Sequence, residues 1–180
     1  MKWVVWVGSV RKGSYNAALA RALQGLAPEG VTIELLPSVA DLPVYSGDIE
    51  SAGLPEAVVA LGEEIAQADG IVVVSPEYNY SVPGGLKNAI DWVSRLKPMP
   101  LKGKPLLIQS ASMGNLGGAR MQYHLRQILV GLDVRVMNVP EVMVGAAHKK
   151  VGEDGVLADE GTRDFLRTQL QAFAAFAAKG

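Results

Sequence analysis

Ile71-Val72-Val73-Val74, followed by Ser75-Pro76-Glu77-Tyr78-Asn79-Tyr80-Ser81-Val82-Pro83-Gly84-Gly85 and then Leu86-Lys87-Asn88-Ala89-Ile90-Asp91-Trp92, decides how the chain folds. The β-branched run suits a strand buried on both faces. Leu86, Ala89, Ile90 and Val93 recur at i, i+3, i+4 and i+7, the apolar stripe of a helix. Between them lies a loop with two prolines, two glycines and two tyrosines, longer than a plain strand-to-helix connection needs. Proline-held backbone carrying flat rings reads as a platform for a flat ligand. An ordinary turn with surface tyrosines is the competing reading.

The same alternation extends in both directions. Trp3 to Val7 is a continuous apolar run, and Gly8 to Ser14 separates it from helically spaced Leu19, Ala22, Leu23 and Leu26, with Ser14 as N-cap. Val31 to Leu36 partly alternates and reads as an edge strand. Residues 37–53 show no periodicity, and a helix is expected over about 55–68. Leu106-Leu107-Ile108 predicts another buried strand, ending in the loop Gln109 to Gly118. A helix carrying Met121, Leu125, Ile128 and Leu129, an opposite edge strand at Val134 to Val136, an irregular stretch 141–155 and a closing helix over about 160–178 complete the chain.

Strands alternating with helices imply a parallel sheet with right-handed crossovers. With strands one, three and four doubly buried, the expected fold is α/β: a three-layer, doubly wound, five-stranded sheet of order 2-1-3-4-5, the flavodoxin-like one, as one domain over 1–180. In that order the chain reverses direction between strands one and three, and ligands bind outside the strands' carboxyl ends. The loops 8–14, 75–85 and 110–118 all converge there.

Composition narrows the function. A net charge of −1 gives no bulk attraction for nucleic acid. The absence of cysteine excludes disulfides, thiolate metal sites and thiol redox chemistry, so any redox function resides in a bound cofactor. No apolar run approaches a membrane span, and the chain enters a strand at Trp3 without a signal-peptide pattern. A cytoplasmic protein is the expectation.

Gly8 to Ser14 combines glycines, serines, Arg11 and Lys12 and opens onto a helix N-terminus, where free amides and the helix dipole favour a phosphate. Arg11 adds a charge-assisted contact and Asn16 a further donor. A capped turn with surface cations is the alternative. Ser14 stands where a nucleotide-hydrolysing P-loop requires lysine, and the dinucleotide fingerprint Gly-x-Gly-x-x-Gly is missing. A single phosphate joined to a flat ring system remains, which points to FMN.

Gly8 to Asn16, Ser75 to Gly84 and Leu86 to Trp92 together resemble the NAD(P)H-dependent FMN reductase family, whose members reduce flavins, quinones, azo dyes and chromate. The similarity runs from about residue 1 to 145; 37–53, 141–155 and Gly85 depart from the family pattern. The resemblance implies that Ser9, Arg11, Ser14 and Asn16 hold the FMN phosphate. It implies that Pro76, Glu77, Tyr78 and Asn79 line the ring with Tyr80 nearby, and that Ser110, Ser112 and Gly114 close its other side. It further implies ping-pong hydride transfer from NAD(P)H, the co-substrate, through FMN to a small acceptor such as a flavin, quinone, azo compound or metal oxyanion. A homodimer or homotetramer is expected on the same ground. The alternative is a flavodoxin-like electron carrier, against which the near-neutral charge argues.

The cofactor carries the redox chemistry, so no side chain is assigned as catalytic acid or base. Glu77 reads as a carboxylate held by backbone and cation contacts, and Lys87 with Asp91 as an i,i+4 surface pair. His124 and His148 lie far apart without carboxylates at metal spacing, and no metal site is expected. Trp3, Trp6, Phe165, Phe173 and Phe176 are assigned to packing. Met113 lies in the glycine-rich loop as a candidate ring contact.

Overall fold

The structure, a computed structural model, describes residues 1–179. β1 (Lys2–Val7), β2 (Thr32–Leu35), β3 (Gly70–Val74), β4 (Pro105–Ala111) and β5 (Arg135–Val136) run parallel in the order β2-β1-β3-β4-β5. Val5 stands opposite Val72, and Val72 opposite Leu107. Side chains along a strand point alternately to opposite faces, and here both faces are covered. Trp3, Val5, Val72 and Leu107 pack under α1 (Tyr15–Gln24) and, further along the chain, α6 (Glu160–Ala177), through Leu19, Leu166 and Phe173. Val4, Trp6, Ile71, Val73 and Ile108 face the opposite layer: α3 (Glu56–Gln67), α4 (Gly84–Val93) and α5 (Ala119–Val130). The Trp3 and Phe173 rings meet at 4.8 Å. Leu86, Ile90, Val93, Met121, Leu125 and Leu129 are all spent on this second core.

Two stretches depart from expectation. The sheet has a sixth strand, β6 (Val142–Val144), inside the segment read as irregular. It pairs with the far half of β4, Gln109 opposite Val142 and Ala111 opposite Val144, whereas β5 reaches only Pro105 and Leu106. One edge is thus shared by two short strands. Pro140, with no N–H to give a ladder, falls in the detour between them. Three residues ending at Gly145 are too few for a period to show.

The loop 37–53 contains a single helical turn at Val39–Asp41 and a short helix, α2 (Gly47–Ala52), capped by Ser38 and Ser46. α2 buries no residue, so it has no apolar stripe to read. The segment is pinned instead by α4: Asn88 Nδ2 and Trp92 Nε1 both donate to the Pro43 carbonyl, and Tyr45 N donates to Asn88 Oδ1 at 2.7 Å. No helix among the described residues is long and apolar enough to cross a membrane.

Candidate functional site

At the carboxyl ends of β1, β3 and β4 the three loops enclose a cavity of about 340 Å³. Ser9, Arg11, Ser14, Tyr15 and Asn16 line it from the first, Pro76, Glu77 and Tyr78 from the second, and Ala111, Ser112 and Met113 from the third. Gly8 sets this geometry. A Cβ there would lie 2.3 Å from Ser75 Oγ, so only glycine lets β1 leave the sheet so close to β3.

The first loop presents donors. Among the described residues, the amides of Val10, Tyr15 and Asn16 donate to no acceptor in the chain, and the last two form the first turn of α1. Ser14 Oγ accepts from Ala17 N at 3.3 Å as N-cap, which leaves its hydroxyl hydrogen to donate. The Arg11 guanidinium is exposed, 5.4 Å from the Tyr15 ring centre. Free amides at a helix start, a hydroxyl and an exposed cation are the donor set that a phosphate monoester takes.

The second loop is a rigid wall. Tyr78 and Ser81 exchange backbone hydrogen bonds at 3.0 and 3.1 Å, and Asn79 and Tyr80 turn between them at φ 47° and 67°. Glu77 braces this hairpin against α5. Its carboxylate accepts from Arg120 N at 3.0 Å, Met121 N at 3.3 Å and Arg120 Nη1 at 3.2 Å. The N-cap of α5 is Gly118, which has no side chain to offer, so Glu77 supplies the missing acceptor from a distance. The Arg120 guanidinium also stacks 4.0 Å from the Tyr80 ring centre. The third loop is fixed by the sixth strand: Ser112 N donates to Val144 O, Ala147 N to Ser112 O, and Ala146 N to Gly114 O.

Seven expected residues thus face one cavity with free or partly free groups: Ser9, Arg11, Ser14, Pro76, Glu77, Tyr78 and Ser112. Asn16 reaches the same cavity, but its side-chain carboxamide is engaged by Ala111, leaving only its backbone N–H free. Three others do not line it. Ser110 is fully buried, because strand alternation turns it toward α5, where its Oγ accepts from Gln122 Nε2 at 2.7 Å. Asn79 occupies the exposed hairpin turn, and Gly114 lies beyond the cavity, its carbonyl taken by Ala146.

Sequence reasoning missed Tyr15, Arg120 and the Ala111 backbone. An arginine in the first turn of a helix opposes the dipole and carries no motif, so only the contact with Glu77 explains it. Met113 does line the cavity, 63% exposed. His124 Nδ1 lies 3.0 Å from Ser81 Oγ, and Lys87 pairs with Asp91 at 2.7 Å as expected. No cluster of metal-ligating side chains occurs among the described residues.

The family model for NADPH-dependent FMN reductase matches residues 1–149. The chain is 57% identical to a quinone reductase of Escherichia coli (strain K12), over 96% of this chain and 93% of that protein. It is 47% identical to an NAD(P)H-dependent FMN reductase of Pseudomonas aeruginosa, over 92% and 89% of the two chains. Among solved structures, FerB, a flavoenzyme NAD(P)H:(acceptor) oxidoreductase from Paracoccus denitrificans, superposes with a TM-score of 0.89 at 36% identity, covering 99% of this chain and 97% of that one.

Proposed function

The chain belongs to the NADPH-dependent FMN reductase family, and on that premise we propose that the three-loop cavity is its flavin site. The protein is a flavin-dependent NAD(P)H oxidoreductase that reduces quinone-type acceptors. Bound FMN supplies the chemistry, accepting a hydride from NAD(P)H and passing reducing equivalents to the acceptor. The observation that carries the site assignment is the donor set at the start of α1, facing the Pro76–Tyr78 wall across a single cavity.

In this reading Arg11, the Ser9 and Ser14 hydroxyls and the first amides of α1 hold the phosphate. Pro76, Glu77 and Tyr78 offer backbone groups and one aromatic face to the ring, and Ser112 and Met113 bound its other edge. Asn79 shapes the hairpin, and Ser110 and Gly114 shape the third loop from beneath and behind. Glu77 moves no proton, because its carboxylate already accepts three hydrogen bonds from α5.

With FMN held there, nicotinamide and acceptor would both reach it from the solvent side of the crevice, giving a ping-pong scheme that would also admit flavins, azo compounds or metal oxyanions as acceptors. We place the protein in the cytoplasm as one domain over 1–180, and as a homodimer or homotetramer. Tyr80, Leu116 and Tyr123 are large apolar side chains left exposed, as an interface between copies requires, and a monomeric mass by light scattering speaks against the assembly.

The functional test is anaerobic stopped flow on FMN-loaded protein. NADH or NADPH bleaches the visible flavin band, and a quinone restores it. Bound FMN that neither nucleotide reduces instead supports the electron-carrier reading.

A further inference from the structure

We infer that Asn16 is a positioning residue, an artificial rung of the sheet that sets the span between the phosphate-gripping turn and the ring-facing loop. Asn16 is 3% exposed. Its Nδ2 donates to Ala111 O at 2.9 Å and its Oδ1 accepts from Ala111 N at 2.8 Å. These two bonds join residues 95 apart in sequence.

The reason lies in the ends of the strands. β3 stops at Val74, whose partner on β4 is Gln109, and the last bond across that seam runs from Ser75 N to Gln109 O. Ala111, two residues on, directs its N–H and C=O to the side where β3 has ended. A buried backbone donor and acceptor left unpaired there cost about 1–3 kcal/mol each. A carboxamide carries one acceptor and one donor edge like a peptide group, so Asn16 completes the ladder with its side chain. On the opposite edge Ser112 N donates to Val144 O and Ala147 N to Ser112 O. The α1 N-terminus, β4 and the β6 segment are therefore joined in one continuous hydrogen-bonded line just below the cavity floor.

This assignment differs from a phosphate-ligand role. The Oδ1 atom is committed, and one of the two Nδ2 hydrogens is too. What Asn16 fixes is the distance between the first turn of α1 and Ser112, so that ring and phosphate of one FMN are met together. The inference rests on the cavity being the flavin site, and deepens that reading.

The test compares FMN with riboflavin, which carries the same ring and no phosphate. Apo-protein variants Asn16→Ala and the milder Asn16→Ser are titrated with each flavin well below their melting temperatures, following flavin fluorescence. The visible circular dichroism of the bound ring is then recorded at saturating FMN. Loss of the rung is expected to weaken riboflavin binding ten- to a hundredfold, FMN binding by at least as much, and to change the ring's dichroism even at saturation. Asn16→Ser, whose hydroxyl keeps a donor and an acceptor on that side of Ala111 but reaches one atom less far, falls between wild type and Asn16→Ala.

A loss confined to FMN, with riboflavin binding and dichroism as in wild type, makes Asn16 a phosphate ligand and overturns the inference. A lower melting temperature with both affinities unchanged makes it merely structural and overturns it equally. Wild-type protein that binds neither flavin removes the flavin-site reading itself, a result distinct from either.

Discussion

Replacing Glu77 separates holding from catalysis. In Glu77→Ala the Arg120 and Met121 amides lose their acceptor and the Arg120 guanidinium its partner, at a carboxylate only 14% exposed. Hydrogen bonds to a charged group contribute about 1.5–3 kcal/mol each. They are not additive here, since water reaches part of the site, and a total loss of about 2–4 kcal/mol is expected. Unfolding entropy near 2.1 cal/mol/K per residue gives about 0.38 kcal/mol/K for this chain, so the melting temperature falls by about 5–10 °C.

Glu77→Gln keeps an acceptor and loses the charge, and about half of that drop is expected. Quinone-reductase turnover at saturating FMN then stays within about threefold of wild type in Glu77→Gln, whereas loss of a general acid or base costs about 10²–10⁴. Differential scanning calorimetry and steady-state kinetics read the two quantities. A melting temperature within 2 °C or so of wild type refutes the bracing role. A loss of turnover beyond about a hundredfold with FMN bound refutes the assignment of catalysis to the cofactor alone.

Three further outcomes are expected. Arg11→Ala weakens FMN binding about ten- to a hundredfold and leaves riboflavin binding unchanged, as loss of one charge-assisted phosphate contact requires; an equal loss for both flavins sinks that role. Gly117→Ala places a Cβ 2.5 Å from the Met143 carbonyl carbon at φ +60°, so the third loop lifts off β6. The variant loses about 3 kcal/mol or more in urea unfolding and binds FMN poorly, and wild-type stability contradicts the close approach. At the start of α6 the Thr162 hydroxyl and amide hold the Asp159 carboxyl below its ordinary value of 3.8. Its contribution is therefore complete above that value and disappears as pH falls through the folded pKa. The melting-temperature gap between wild type and Asp159→Ala is constant near neutrality and closes below about pH 4, and a gap that widens on acidification reverses the sign.

The layers, the strand order and the meeting of three loops were legible because doubly buried strands announce themselves as unbroken runs such as Ile71 to Val74. Short pieces without a readable apolar period did not. β6 is three residues long, and α2 is held through Pro43 and Tyr45 rather than by an apolar face. In the site, residue type was a good guide to location and a poor one to partner. Glu77 reads correctly as a held carboxylate, yet Arg120, which holds it, has no signature in sequence. Ser110 and Ser112 share strand parity, so alternation alone would send both toward α5; β4 ends at Ala111, and Ser112, one residue past that end, faces the cavity while Ser110 stays in the α5 core. Asn16 suggested a phosphate donor because the alternative partner lies 95 residues away.

A crystal structure of the protein grown with FMN tests the central claim most directly. The account expects the phosphate within hydrogen-bond reach of the Tyr15 and Asn16 amides and the Ser14 hydroxyl, and the ring between Tyr78 and Ser112. A neighbouring cavity of about 400 Å³, lined by Lys12, Arg21, His148 and Asp154, shares Ser14 and Tyr15 with the three-loop cavity as a common wall. Phosphate density in that cavity, with the three-loop crevice closed, would contradict the site and every residue role derived from it.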